Sequence, residues 1–392
     1  MRYSLASIWL FFVSMASAQY QVNIRVTNVP PSHQGEDIYI SGNFNMWEPG
    51  EEKMKLSPNP DGSYSFLLQY TEIPAKRVEF KFTRGDWQTS ESTEDGKLTG
   101  PRTIPLNKDT TIVCHIAGWR DDFPASTASK NVHVLDSAFY MPQLGRYRNI
   151  WIYLPEEYYR SEKRYPVIYL HDGQHLFDEA TSVGRIGPIE WSVDETLDAA
   201  DESCIIVGID HNPDMAARID EFYYYPNSEN KEARGKAYLK FIVETLKPHV
   251  DKKYRTQPDV QNTGIGGSSM GGLISLYAGT QYPDVFGWVG IFSPSVWLDQ
   301  GNIERAIENS KHIKAIAKQH YFFYAGENEN RQKEDKSFVN MTEDVDKVIH
   351  LLERYARPDI KRLVNPHGRH GALYWREAFP VFYDWFIEKK KK

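Results

Sequence analysis

The sequence has little cysteine, no excess of positive charge and no long apolar run beyond its first residues. Its 392 residues include two cysteines, Cys114 and Cys204, so one disulfide is the upper limit and two free buried thiols are the simpler interpretation. A formal net charge of -7 and a pI near 6.0 argue against nucleic acid as a partner, because phosphate binding needs a basic surface. No later segment reaches the roughly 20 apolar residues that span a bilayer, so no membrane span is expected.

The first 18 residues have the pattern of a secretory signal peptide. Arg2 precedes an apolar run at residues 10–13, and the small residues Ala16, Ser17 and Ala18 precede Gln19. This order predicts cleavage after Ala18 and a secreted or periplasmic protein.

Length and residue pattern predict two domains after this leader. A chain of 392 residues is long for one domain. Residues 19–120 alternate polar and apolar residues in short runs with turn residues between them, which predicts a small immunoglobulin-like β-sandwich. The predicted strands are 21–27, 37–41, 63–69, 77–83 and 110–116. Residues 121–131 are polar and turn-forming and are the predicted linker, and residues 132–392 form the second predicted domain.

The most informative motif lies in this second domain. Residues 267–271 read Gly-Ser-Ser-Met-Gly, follow a run of strand character and lead into a helical pattern. A serine flanked by glycines between a strand and a helix is typical of a nucleophile elbow, where glycine removes clashes at a strained turn. Ser269 is therefore the candidate nucleophile, although the pentapeptide alone also occurs in structural loops.

A base and an acid follow the serine in the chain order of α/β-hydrolases. His367 and His370 lie in a glycine-containing loop after a predicted strand, and His370 is preferred because it stands at the start of the following helix. Either one could instead be a surface histidine. Residues 320–326 form an apolar predicted strand, and carboxylates follow its end. Glu329 is the first choice for the acid, followed by Glu327 and Asp335, and a solvated acidic turn is the alternative.

Two backbone N–H groups are expected to stabilise the negative charge of a tetrahedral intermediate. Met270 follows the nucleophile directly and is the first predicted donor. Gln174 is the second, because it follows a predicted strand at residues 165–170 and the glycine of the sequence His-Asp-Gly-Gln. His171 and His175 are four residues apart, but no third ligand cluster is near them in the sequence, so a metal site is not expected.

Residues 131–390 resemble the esterase family of α/β-hydrolases that holds esterase D, the ferric-enterobactin esterases and the family-one carbohydrate esterases. The resemblance rests on segments 141–146, 150–155, 165–174, 205–210, 248–256, 267–272 and 368–376, which stand in family order. It implies an α/β-hydrolase fold with a mostly parallel sheet, and no cofactor or metal.

Carried over residue by residue, the resemblance implies Ser269 as nucleophile, His370 as base, Glu329 as acid, and Gln174 and Met270 as oxyanion donors. Many family members have aspartate at the acid position. The family also binds substrate after its third strand, where this chain has Arg218, Glu221 and Tyr225, although packing and surface ion pairing are alternatives. Trp297 is a further candidate for substrate binding.

The first domain resembles starch- and glycogen-binding modules at residues 42–47 and 80–87. Trp47 and Trp87 are the candidate carbohydrate-binding residues, because aromatic faces stack on sugar rings, and a structural role in the core is the alternative. Together these patterns predict a secreted serine esterase that removes acetyl or feruloyl groups from carbohydrate. The alternatives are a siderophore ester hydrolase and a catalytically silent carbohydrate-binding protein.

Overall fold

The structure is a computed structural model that describes residues 20–70, 77–94, 96, 99, 101–123, 126–182, 189–227, 231–332 and 338–390. The predicted signal peptide and the third acid candidate, Asp335, lie outside these residues. The chain divides into two compact units, one of residues 1–123 and 185–187 and one of residues 124–184 and 188–392.

The first unit consists of small β-sheets. β1 pairs antiparallel with β4 and parallel with β8, and β3 extends this sheet beside β4. β2, β5 and β7 form a second sheet, and β6 pairs with β9. The strands are β1 (Tyr20–Asn28), β2 (Tyr39–Gly42), β3 (Ser57–Pro58), β4 (Tyr64–Tyr70), β5 (Arg77–Thr83), β6 (Glu91–Ser92), β7 (Arg102–Pro105), β8 (Thr110–His115) and β9 (Gly118–Trp119).

Alternation of side chains explains this unit. Val22, Ile24 and Val26 of β1 are buried while the residues between them are exposed, as expected for a strand with one face on a core. Phe80 and Phe82 of β5 are fully buried in the same core. All five strands predicted from period two are present. β7 was not predicted, because four residues that end in proline carry too little pattern.

The second unit is built on an eight-stranded sheet in the order β10-β11-β13-β12-β14-β15-β16-β19. β11 pairs antiparallel with β10 and with β13. Neighbouring strands in the series β13-β12-β14-β15-β16-β19 pair parallel. The strands of this unit, including a separate β17-β18 hairpin, are β10 (Val132–Met141), β11 (Arg146–Tyr153), β12 (Val167–His171), β13 (Ile205–Ile209), β14 (Thr263–Ser268), β15 (Trp288–Phe292), β16 (His320–Gly326), β17 (Asn330–Gln332), β18 (Phe338–Asn340) and β19 (Asp359–Asn365).

Helices connect and cover these strands. They are α1 (Val193–Asp198), α2 (Met215–Phe222), α3 (Gly235–Phe241), α4 (Lys247–Lys253), α5 (Met270–Gln281), α6 (Asn302–Glu308), α7 (Ile313–Ile316), α8 (Met341–Tyr355) and α9 (Ala372–Lys390). Two large apolar clusters pack on the sheet, as expected when helices cover both faces. The predicted fold class, an α/β-hydrolase fold preceded by a small all-β region, is confirmed.

The sheet topology determines where a site forms. The chain runs from β12 to β13 on one side and later returns to β14 on the other side of β12. Ligands bind at such a reversal of strand order, beyond the carboxyl ends of the strands, because the loops there diverge and leave a crevice. β12 is followed by the loop with Gln174, and β14 is followed by Ser269. Among the described helices, none is long and apolar enough to cross a membrane.

Candidate active site

Ser269 occupies a strained turn between β14 and α5. Its backbone φ of 56° and ψ of -119° are unusual for a residue with a side chain. A Cβ at Gly267 would lie 3.1 Å from the backbone carbon of Gly271 and 3.0 Å from Cδ2 of His171. Glycine at position 267 therefore lets β14 and the start of α5 approach closely, which leaves Ser269 at the corner.

Three side chains form a continuous chain of hydrogen bonds at this corner. Ser269 Oγ lies 3.0 Å from Nε2 of His370, and Nδ1 of His370 lies 2.8 Å from Oε2 of Glu329. The carboxylate side chain is 1% exposed, whereas the imidazole is 38% exposed. A buried carboxylate behind a histidine holds the ring in one tautomer and stabilises its protonated form.

Glu329 is held by donors to both of its oxygens. Oε1 accepts hydrogen bonds from the Ser293 hydroxyl at 2.7 Å and from the Gly326 N–H at 2.8 Å, while Oε2 faces His370. Such donors satisfy a buried ionised carboxylate. Glu327, the second candidate acid, is exposed on the same loop.

The two histidine candidates also occupy different positions. His370 packs edge-on against Trp375 with the ring centres 5.1 Å apart, and the indole N–H of Trp375 donates to Ser293 Oγ at 3.0 Å. His367 is exposed, and its backbone N–H donates to Oδ1 of Asn365. The structure thus brings His370 rather than His367 to Ser269.

The predicted oxyanion donors lie on the two loops that meet here. Met270 is the first residue of α5, where a backbone N–H has no acceptor within the helix. Gln174 lies in a 3₁₀ turn after Asp172, which has a left-handed φ of 59°. A Cβ at Gly271 would lie 3.3 Å from Oδ2 of Asp172, so the Gln174 loop packs beside the start of α5. The donor role of both amides stays a prediction.

Arg218, a predicted substrate-binding residue, forms a buried ion pair beneath the Gln174 loop. Its Nε and Nη2 each donate to Asp172 at 2.8 Å. The Arg218 side chain is 12% exposed and the Asp172 side chain 10% exposed. Burial opposes ionisation of Asp172, but the Arg218 charge and its two hydrogen bonds outweigh burial and hold the pKa of this carboxyl well below its usual value. Arg218 therefore stabilises the left-handed turn that leads to Gln174.

Replacing Arg218 by methionine is expected to lower the free energy of unfolding by about 3 to 5 kcal/mol, because it leaves the buried Asp172 carboxylate without its partner. The double variant Arg218→Met with Asp172→Asn should recover part of this loss, since asparagine is neutral and tolerates a left-handed backbone. Urea denaturation measures both changes.

A matched control for this prediction is Arg160→Met, because the Arg160–Glu156 ion pair is exposed, with side chains 75% and 49% accessible. It should change stability by less than about 1 kcal/mol. Equal losses for the two arginine variants would contradict the structural role of the Asp172 pair.

The other three candidate substrate residues, Glu221, Tyr225 and Trp297, have different environments. Glu221 is 1% exposed and accepts hydrogen bonds from Arg146 and Arg148. Tyr225 packs edge-on against Tyr224 and Tyr277 and lines a surface cavity of about 410 Å³.

Trp297 is half-buried, and the Arg331 guanidinium lies 4.6 Å from its ring centre. It follows Ser295, whose hydroxyl contacts Ser269, by two residues. Of the four candidate substrate residues, Trp297 is thus closest in sequence to a residue that contacts the Ser269 hydroxyl.

Sequence reasoning missed the segment after β15. Ser293 donates to Glu329 Oε1, and Ser295 Oγ lies 3.0 Å from Ser269 Oγ. A signal existed, because the sequence Ser-Pro-Ser follows a buried strand at the same sheet edge as Ser269.

The histidines considered for a metal have separate partners. Nδ1 of His171 lies 2.8 Å from the Tyr238 hydroxyl, and Nδ1 of His175 lies 3.0 Å from Ser182 Oγ. Burial lowers the pKa of each ring to about 4, so both are neutral near pH 7. Cys114 and Cys204 are free and buried.

A cluster of three carboxylates lies around the start of α1. Oxygens of Glu190, Asp194 and Glu195 lie within 4.8 Å of one another, and Arg376 donates to Glu190 at 2.9 Å. Burial raises the pKa of Glu190 to about 7 despite the opposing charge of Arg376. Burial and the adjacent Glu195 raise the pKa of Asp194.

A carboxyl whose pKa is higher in the folded state than in the unfolded state holds its proton longer when folded. Its favourable contribution is present at low pH and is lost as the pH rises through the folded pKa. Asp194→Asn should therefore raise stability relative to wild type more at pH 8 than at pH 5, by about 1 to 2 kcal/mol. Urea denaturation at both pH values measures the difference, with Asp201→Asn at an exposed position as control. A difference that is the same at both pH values would count against this interpretation.

In the first unit, Trp47 and Trp87 form a pair. Their ring centres are 6.4 Å apart with planes tilted by 41°, and both side chains are half-buried. Trp47 and its neighbour Met46 have positive φ values of 63° and 54°. Their role in carbohydrate binding stays a prediction.

The strand order, the strained serine and the serine–histidine–carboxylate chain are together those of an α/β-hydrolase. The chain belongs to the family described as "Putative esterase", whose sequence model matches residues 141–385.

Relatives of the chain include two bacterial proteins. The uncharacterised protein YjcH of Bacillus subtilis is 28% identical over 251 residues, which cover 64% of this chain and 95% of that protein. The endo-1,4-beta-xylanase/feruloyl esterase of Xylanibacter ruminicola is 25% identical over 204 residues, which cover 51% of this chain and 25% of that protein.

Among solved structures, the enterobactin esterase FES of Shigella flexneri is similar with a TM-score of 0.55 and 16% identity. The match covers 96% of this chain and 95% of that chain. At this identity the likeness supports the fold.

Proposed function

We propose that this protein is a secreted serine carboxylic-ester hydrolase that forms an acyl-enzyme on Ser269 and removes acetyl or feruloyl groups from carbohydrate. The observation that carries the reaction type is the chain of hydrogen bonds from Ser269 through His370 to Glu329, at 3.0 and 2.8 Å.

The proposed reaction has two half-reactions. His370 takes the Ser269 proton while Oγ attacks the ester carbonyl, and the amides of Gln174 and Met270 donate to the resulting oxyanion. Glu329 stabilises the imidazolium, which then protonates the departing alcohol. Water attacks the acyl-enzyme with His370 again as base, and the acid leaves as Ser269 regains its proton.

Covalent labelling tests the nucleophile directly. A fluorophosphonate probe should add once to the wild-type protein at Ser269, as located by peptide mass spectrometry, and should not add to Ser269→Ala. Because such probes need an activated serine, the absence of labelling in folded wild-type protein would reject the esterase proposal and favour a silent binding protein.

The carbohydrate part of the proposal draws on two observations. The relative from Xylanibacter ruminicola is named a feruloyl esterase joined to a xylanase, and Trp47 and Trp87 lie 6.4 Å apart on one module of this chain. Tilted aromatic rings at such a separation can contact neighbouring sugar rings of a chain.

An affinity gel tests the binding module. Soluble glucan or xylan in the gel should retard the wild-type protein, and Trp47→Ala and Trp87→Ala should migrate as they do without polysaccharide. Unchanged migration of wild type with both polymers would remove the carbohydrate-binding part of the proposal. Esterase activity on p-nitrophenyl acetate should be unaffected by either tryptophan change.

A siderophore ester is the second candidate substrate. It is favoured by the match to an enterobactin esterase, which extends over 96% of this chain. Measured kcat/KM on acetylated xylan, feruloylated oligosaccharides and a cyclic triester siderophore decides between the two. A value for the siderophore at least tenfold above those for both carbohydrate esters would replace the substrate proposed here.

Export is proposed from residues 1–18. Expression of the full chain in a bacterial host should yield periplasmic protein that begins at Gln19, as read by N-terminal sequencing. A cytoplasmic product that retains Arg2 would reject it.

A further inference from the structure

The segment Ser293-Pro294-Ser295 follows β15 and is tied to the nucleophile at several points. The Ser269 N–H donates to the Phe292 carbonyl at 2.9 Å, and the Ser295 N–H donates to the Ser269 carbonyl at 3.0 Å. Pro294 lies against Gly272 of α5, where a Cβ would be 3.2 Å from its Cα. This close packing sets the position of the Ser295 side chain relative to Ser269.

The Ser295 hydroxyl lies within hydrogen-bonding distance of the Ser269 oxygen. Its Oγ lies 3.0 Å from Ser269 Oγ, the same distance as His370 Nε2. Ser295 is 2% exposed, and its hydroxyl contacts Ser269 within the described part of the chain.

The number of hydrogens decides the direction of this bond. A hydroxyl has one hydrogen to donate and two lone pairs to accept. Ser269 must donate its hydrogen to His370 if the imidazole is to remove it. The contact between the two hydroxyls is then a hydrogen bond only when Ser295 donates to Ser269 Oγ.

We propose that Ser295 is a catalytic residue whose hydroxyl stabilises the Ser269 oxygen, mainly as that oxygen leaves the acyl-enzyme. During deacylation, the bond from water oxygen to the acyl carbon forms and the bond from Ser269 Oγ to that carbon breaks. Oγ departs with the electron pair and gains negative charge until His370 returns the proton taken from water. Ser295 keeps its own proton throughout and donates a hydrogen bond to this oxygen.

The effect is expected to differ between the two half-reactions. In acylation, Ser295 already donates to the neutral Ser269 hydroxyl before attack, so part of the hydrogen-bond strength is present in the starting state. In deacylation, Oγ starts as an ester oxygen, which is a poor acceptor, and becomes the partly charged leaving oxygen, to which a hydrogen bond is stronger than to a neutral oxygen. Loss of the Ser295 hydroxyl should therefore slow deacylation more than acylation.

Stopped-flow hydrolysis of p-nitrophenyl acetate separates these steps in the full chain. Ser295→Ala should lower the steady-state rate about 10- to 100-fold, the range for loss of a hydrogen bond to a charged group, while the initial burst of nitrophenolate persists. Intact-protein mass spectrometry should show that acetyl-enzyme accumulates at steady state. Ser295→Thr, which keeps a hydroxyl, should recover most of the rate.

The control is Thr280→Val, which removes a buried hydroxyl that bonds to the Leu276 carbonyl at the far end of α5. It should leave both rates within about twofold. If Ser295→Ala does not fold, Ser295→Cys is used in its place, because it keeps the size of the side chain but is a weaker donor. It should also slow deacylation more than acylation. The proposal is overturned if both steps slow equally, if neither slows, or if Ser295→Thr is as slow as the variant without the hydroxyl.

This inference rests on the proposed function, and the two can fail separately. Absence of fluorophosphonate labelling at Ser269 removes the esterase proposal. Normal labelling together with wild-type deacylation in Ser295→Ala removes the role of Ser295 alone.

Discussion

Replacing Ser269 by alanine is expected to lower kcat for p-nitrophenyl acetate by at least about 10⁴-fold, while the protein stays folded. Ser269 Oγ is the atom that His370 Nε2 contacts at 3.0 Å, so its removal leaves the imidazole without a nucleophile to activate. Residual hydrolysis would come from the oxyanion donors and from binding, which act on an attacking water.

The neighbouring Ser268 provides the matched control for this experiment. It precedes Ser269 in the same motif and is buried at the end of β14. Ser268→Ala should retain kcat within a few-fold, and both variants should show thermal transitions close to wild type. Activity of Ser269→Ala within tenfold of wild type would remove this serine from the mechanism.

Replacing Glu329 by glutamine is expected to lower kcat by about 10²- to 10⁴-fold. Oε2 faces His370 Nδ1, whereas Oε1 accepts from Ser293 and from the Gly326 N–H. A glutamine amide has one oxygen and one NH₂ group, so in either orientation its nitrogen meets a donor. If the NH₂ group faces His370, Nδ1 must accept and the ring proton moves to Nε2, which faces Ser269. If the NH₂ group faces Gly326, the buried Gly326 N–H loses its acceptor.

Glu327 tests whether this effect belongs to the position rather than to the loop. It has the same side chain two residues earlier and is exposed. Glu327→Gln should keep kcat within about twofold, because a surface substitution away from the reacting groups changes little. The kcat and thermal transition of Glu327→Gln are measured alongside those of Glu329→Gln. A larger loss of kcat in Glu327→Gln than in Glu329→Gln would make Glu327 the acid.

Several buried strands and the candidate nucleophile could be read from local residue patterns. Buried parallel strands appear as continuous apolar runs such as β12 and β13, in which all five residues are buried, so their type is visible in short windows. The elbow is equally local, because a strained serine between strand and helix needs glycines at fixed positions around it. These features depend on neighbours within a few residues.

The sequence offers more than one candidate for the acid and for the base, so these residues are predicted less firmly than Ser269. Glu327 and Glu329 follow the same strand, and His367 and His370 share one loop, so their residue types are equivalent in the sequence. Their difference lies in burial and orientation, because Gly368 packs on Gly326 and brings the two loops together.

Local pattern was sufficient for several strands of both units, the elbow and the candidates on each loop, since these follow from backbone preferences and the alternation of apolar residues. Contacts between residues far apart in the chain required the folded protein. Arg218 meets Asp172 across 46 positions, and Ser295 meets Ser269 across 26. Such pairs form because hydrophobic burial assembles the sheet and places the ends of separate strands side by side, and no short window of residues contains that information.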